Sequence, residues 1–198
     1  LATAADADIM LNADQAMGLT NSTLDADDNI WLHTTGNVPF GDISLTNSDV
    51  TSQTGSVDVF AAGNSVDDPE SWITMDTDSS IWAAKNVTMA ANDKIIAGNI
   101  TAGEEILLDV RQNSGGSWNN GLLEIIAPIS STGAGNIYLS AYDMSIAAAV
   151  TTAAGDIHLY DHDAGFNLGG THDGVDLSEA DIDNLRADNG HALIIGRG

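Results

Sequence analysis

Gly135-Asn136-Ile137-Tyr138-Leu139 returns twenty residues later as Gly155-Asp156-Ile157-His158-Leu159. A polar turn followed by apolar, any residue, apolar is one short strand, rewritten. The same marker occurs at Ile9-Met10-Leu11, Ile30-Trp31-Leu32, Ile43-Ser44-Leu45, Val57-Asp58-Val59, Ile73-Thr74-Met75, Val87-Thr88-Met89 and Ile106-Leu107-Leu108. Alternation of this kind sends the outer two residues to one face and the middle residue to the other.

Further apolar positions follow the marker at repeated offsets. Ile96 and Ile100 lie nine and thirteen residues after Val87, and Ile146 and Val150 lie nine and thirteen after Ile137. After Ile106 the series is interrupted by "RQNSGGSWNN" and resumes at Ile125, Ile129 and Ile137, as if a loop at about 111–120 were pushed out of one coil. Coils of roughly 19–20 residues with about three strands each predict an all-β fold, a parallel β-solenoid (β-helix), in one domain spanning 1–198. Residues 84–198 are the regular part. Before 84 the markers crowd together, and some of them read as alternate strands of one coil. The competing fold is an antiparallel sandwich of short strands. One short helical turn is expected near 177–185, with Ser178 as its cap and acids in its first turn.

Composition narrows the function. There are 29 acids against 5 bases, a formal charge of −24, and no cysteine. Such a chain offers no basic footprint for nucleic acid and is repelled by anionic membrane surfaces. Disulfides and thiolate chemistry are excluded. No apolar run is long enough to span a bilayer as a helix. Paired acids recur throughout, but a chain this acidic produces pairs by chance. The five bases are too scattered to hold an anionic sugar, and no nucleophile elbow, phosphate loop or His-Glu-x-x-His motif occurs. A catalytic role is not expected.

Two candidate sites remain. "YDHDAGFNLGGTHDGVD" places Asp161, Asp163 and Asp173, with His162, His172 and Asp176, near glycine turns, an oxygen-rich arrangement suited to Ca²⁺. It lacks the glycine-rich nonapeptide of calcium-binding β-rolls. The middle residues of the markers would form an outward column from Met10 to His158. Within that column Trp31, Leu107 and Tyr138 read as a contact surface for another fibre or for glycans. Its few threonines argue against an ice-binding face.

"VTTAAGDI", "GDIHLYDHDAGFNLGG" and "VDLSEADIDNLRADNGHALIIGRG" resemble the repeats of filamentous-haemagglutinin-like large exoproteins and related giant bacterial adhesins, most strongly over residues 84–198. The resemblance implies a right-handed parallel β-helix, an extracellular or cell-surface location, and a non-catalytic stalk or adhesive role. The expected partners are copies of the chain or adjoining solenoid coils, end to end, with surface glycans as the alternative.

Overall fold

A computed structural model describes residues 1–5, 7–35, 41–62, 71–111, 121–161, 166–168, 175–188 and 190–197. The chain winds as a parallel β-solenoid whose coils contribute one strand to each of three sheets. Sheet A stacks Ala2–Ala4, Thr23–Ala26, Asp49–Ser52, Ser80–Ala83, Asn99–Ala102, Ile129–Ser131, Val150–Thr152 and Leu185–Ala187. Sheet B stacks Ile9–Ala13, Ile30–Thr34, Val57–Ala61, Val87–Ala91, Ile106–Val110, Ile137–Ala141, Ile157–Asp161 and Leu193–Arg197. Sheet C stacks Met17–Thr20, Ile43–Thr46, Trp72–Met75, Lys94–Ala97, Leu122–Ile125 and Asp143–Ile146. Within each sheet, neighbouring strands pair in parallel.

The period-two pattern explains the core. On sheet B the first and third marker residues point inward, and Ile30, Leu32, Val57, Val59, Ile106, Leu108, Ile137 and Leu139 are wholly buried. Sheet C adds Ile43, Ile73, Ile95 and Leu123, and sheet A adds Val50, Ile81, Ile100 and Ile129, so one apolar column runs through the stack. Burying a Leu or Ile side chain stabilises by about 1.5–3 kcal/mol, and each coil gains it only when coils lie above and below. Beside this column, sheet A turns small residues inward. Ser52, Ala83, Ala102, Ser131 and Thr152 follow one another in one inward column, and the hydroxyls of Ser52, Ser131 and Thr152 donate to corner carbonyls at Asp28, Glu104 and Gly155. No buried hydroxyl in this set is left without an acceptor, as burial requires.

Register corrects two details of the sequence reading. Ile43 and Ile73 belong to sheet C, where they pair with each other, and not to the sheet that holds the other markers. Ile96 points outward: its register mates are Thr74 and Glu124, while Ile95 and Ala97 fill the core. The corner before Ile96 is Asn92–Asp93, whereas Tyr142 alone precedes Asp143–Ile146. A fixed offset of nine therefore lands on opposite faces in the two coils.

Coil length varies at one corner. The turns from sheet A to sheet B are uniformly short, as at 27–29, 84–86, 103–105 and 153–156. Those from sheet B to sheet C range from Tyr142 alone to 62–71 and 111–121. The chain nevertheless re-enters in register, with Leu122 on Lys94 and Trp72 opposite the same residue. Residues 112–120 of the expected insertion lie outside the described residues.

Near the C-terminal end sheet C stops. Glu179–Asp183 forms a single helical turn, α1, with Ser178 at its N-cap in a reciprocal box with Asp181. The Asp181 carboxylate accepts from the Ile146 N–H at 2.7 Å, and Asn184 Nδ2 donates to the Ile146 carbonyl at 2.7 Å. Two side chains thus take over bonds that a further strand would make. Leu177, just before the turn, is 1% exposed and completes the core.

Candidate functional site

Sheet B brings the three expected contact residues into one outward column. Ladder register runs from Met10 through Trp31, Asp58, Thr88, Leu107, Tyr138 and His158 to Ile194. Ser44 and Thr74, also expected there, lie on sheet C. Trp31, Leu107 and Tyr138 are half-buried, whereas Met10 at the column's end is 61% exposed.

Several side chains of this face engage one another, in two clusters, to which Trp31 and Leu107 do not belong. In the first, His33 Nε2 lies 3.0 Å from Asp58 Oδ2 and its ring meets Phe60 edge-on at 6.0 Å. Arg111 reaches back over the Phe60 ring at 6.0 Å while its Nε donates to Asp109. Ala90 lies between Phe60 and Asp109 in the ladder and is 3% exposed, although it points outward. In the second cluster, Tyr138 and His158 stack at 4.6 Å with planes 22° apart, and Tyr160 joins with its ring 8° from that of Tyr138. Asn136 Nδ2 donates to the Tyr138 hydroxyl at 2.9 Å. The Tyr160 hydroxyl lies 3.3 Å from His158 Nδ1. His158 Nε2 is buried without a hydrogen-bond partner among the described residues. Offset stacking of this kind stabilises by about 0.5–1.5 kcal/mol beyond area burial.

Of the expected metal residues, Asp161 ends its sheet B strand fully buried, in register with Ala141. Asp163 and Asp173 lie outside the described residues, as do His162 and His172. Among the described residues no group of three or more His, Asp or Glu side chains is placed to hold a metal ion.

The structure holds a polar feature that the markers concealed. The residue immediately before each sheet B strand accepts, through its side chain, the backbone N–H of the same position one coil on. Asp8 accepts from Asn29 at 2.9 Å, Asn29 from Ser56 at 3.0 Å, Ser56 from Asn86 at 3.3 Å and Asn86 from Glu105 at 3.0 Å. The series resumes with Asn136 accepting from Asp156 and Asp156 from Ala192, each at 2.8 Å. These steps cross 21, 27, 30, 19, 20 and 36 residues, yet the geometry is the same. The signal was visible: all seven sheet B markers are preceded by Asp, Asn, Ser or Glu, and on sheet C Asp42, before Ile43, likewise accepts the Trp72 N–H at 2.9 Å.

The corner between sheets C and A is laddered in the opposite sense. Ser22 N–H donates to Ser48 Oγ and Ser48 N–H to Ser79 Oγ, both at 3.1 Å, so the later coil accepts. Asn21 and Asn47 adopt positive φ of 49° and 46°, and Asn47 Nδ2 donates to Asn21 Oδ1 at 2.7 Å. Asparagine tolerates this left-handed corner better than most residues. Two carboxyls in these ladders are held below the usual range. The Ser79 hydroxyl bond to Asp76 lowers its pKa, with the Asn47 N–H helping. For Asp156 the main cause is the Ala192 N–H, with His191 adding a bond and charge.

No protein-family model, curated protein or solved structure matches the chain. Among the described residues no helix is long and apolar enough to cross a membrane.

Proposed function

We propose that this chain is a non-catalytic structural element: a β-solenoid section of an extracellular adhesin stalk, matrix fibre or self-stacking filament. The observation that carries this reading is the single apolar column threaded through three parallel ladders. Stacked coils give a rod whose length is set by coil number, and load along it is shared by many inter-strand bonds. The polar corner ladders add side-chain bonds between coils without occupying the outer faces.

The end coils support a partner of the same kind. Leu11, Met17 and Leu19 in the first coil and Leu193 and Ile195 in the last are core-facing yet only partly buried. Sheets A and B present open edges there, and an open edge pairs with another strand. The occupant is another solenoid coil, covalently adjoining or from a second copy. The α1 side-chain bonds at Ile146 close sheet C alone.

Negative-stain electron microscopy of the purified chain, with Ca²⁺ and with chelator, tests the reading. Uniform fibres a few nanometres wide are expected, and their loss in chelator would assign cation bridging to the carboxylates. Discrete short particles that quench tryptophan fluorescence on adding glycans would replace a stalk with a sugar-binding module.

A further inference from the structure

The outward face of sheet A differs from the other two in charge and in what borders it. Its central column runs from Thr3 through Asp25, Thr51, Trp82, Thr101, Ser130 and Thr151 to Arg186. Between Asp25 and Arg186 this column carries no ionisable side chain, in a chain of formal charge −24. Trp82 stands 38% exposed at its middle. The face is bordered by the two corners with short turns, whereas the long connections 35–42, 62–71 and 111–121 all join sheet B to sheet C. Sheet B engages several of its aromatic side chains internally, and on sheet C the exposed Trp72 donates from Nε1 to Asp93.

The order of charge along the column is self-complementary. Asp25 lies one rung in from one end, Arg186 stands at the other end, and the five side chains between them are neutral. A two-fold axis in the plane of the face, across Thr101 and perpendicular to the fibre, sets Asp25 of one copy opposite Arg186 of the second. The same operation sets Thr51 opposite Thr151 and Trp82 opposite Ser130, twice each. That is an isologous contact in which every pairing occurs in duplicate.

We propose that sheet A is the lateral docking surface for a second copy of this chain, running antiparallel. The inference concerns side-to-side association and goes beyond end-on stacking. Eight strands at about 4.8 Å, each about 13 Å wide, offer roughly 450 Å² per copy. The total of roughly 900 Å² is below the standard size for a stable complex, so the isolated pair is weak. Repeated along a fibre, the same contact is strengthened by effective concentration. Glu104 and Glu105 are exposed at the neighbouring corner and oppose approach over about a Debye length, so added salt that screens them favours pairing.

Analytical ultracentrifugation of the whole chain across a concentration series at about 0.15 M salt tests the proposal. The mass is expected to rise with concentration, and fibres formed end on are expected to be paired in the parent and of single width in the Arg186→Asp and Thr101→Asp variants, so lateral and end-on association are read separately. Arg186→Asp is expected to weaken the pair about tenfold or more. Asp25→Arg combined with Arg186→Asp is expected to restore it to within about threefold. Thr101→Asp, which sets two carboxylates against each other at the axis, is expected to abolish pairing and leaves both end residues intact. A chain that stays single at every concentration overturns the proposal. So does a pair indifferent to Arg186→Asp and Thr101→Asp, or one that the charge swap leaves broken.

Discussion

The corner between sheets A and B and the corner between sheets B and C lie on the same coils, yet they obey different rules. At the first, turns are short, side chains bind the next coil's N–H, and backbones touch. A Cβ at Gly103 would stand 1.9 Å from the Ala84 carbonyl oxygen, and one at Gly155 would stand 2.1 Å from that of Gly135. At the second, the connection is as short as Tyr142 alone or as long as 111–121, and the next strand still pairs in register. It too carries cross-coil bonds, from Trp72 N–H to Asp42 and from Asn92 N–H to Ser71 Oγ, and one close approach, of Gly41 to the Ala62 carbonyl, so what distinguishes it is its tolerance of length. Coil length and coil geometry are separate properties here.

The largest effect should come from exchanging the two rules. Six Gly/Ser residues inserted between Lys85 and Asn86 break the Ser56–Asn86–Glu105 steps and are expected to destabilise by more than about 4 kcal/mol. The same insertion within 112–120 lengthens a connection that is already long and is expected to cost about 0.6 kcal/mol or less, since loop closure grows slowly with length. Urea denaturation of the two variants measures the difference, and equal losses would dissolve the comparison.

Next comes close approach. Gly155→Ala puts a methyl group into the Gly135 backbone and is expected to cost about 1–3 kcal/mol. Gly196→Ala, whose added Cβ meets nothing within 4 Å, is expected to fall within about 0.5 kcal/mol of the parent. Thermal unfolding of both chains separates packing at the corner from a general effect of replacing glycine.

Single ladder rungs should matter less. Asn86→Ala leaves the Glu105 N–H without its acceptor and is expected to cost about 1 kcal/mol. Asn136→Ala should cost more, because Asn136 serves both the Asp156 N–H and the Tyr138 hydroxyl.

The smallest effect is in acid. Asp76 and Asp156 both titrate below the ordinary aspartate range when folded. Their contribution is therefore complete above the unfolded value and is lost as pH falls through the lower folded values. Relief of general acid–acid repulsion acts the other way at milder pH. The Asp76→Asn, Asp156→Asn double variant should lose less stability than the parent below about pH 4, measured as denaturation midpoints.

What the sequence disclosed and what it hid follow from the same division. The nine-residue marker series exposed sheet B because its strands alternate cleanly, and Ser178 with its acids exposed α1 because capping is local chemistry. Sheet membership of Ile43 and Ile73 was hidden, since identical strands on different faces carry the same pattern. The outward turn of Ile96 was hidden because one extra corner residue flips a strand by a face. Trp31, Leu107 and Tyr138 were placed in one column correctly. The stacking of Tyr138 on His158 and Tyr160 depends on neighbours about 20 residues away. The charge order of sheet A escaped notice because Asp25 and Arg186 lie six coil steps apart.

Hydrogen exchange measured before and after assembly tests the central claim most directly, namely that the end coils await another coil. The account predicts slow exchange throughout Val87–Ala91 and Ile106–Val110 in both states. It predicts fast exchange at Ile9–Ala13 and Leu193–Arg197 in the dispersed chain, with protection gained on assembly. End strands already protected in a dispersed, single chain, or still exchanging freely inside fibres, would contradict it.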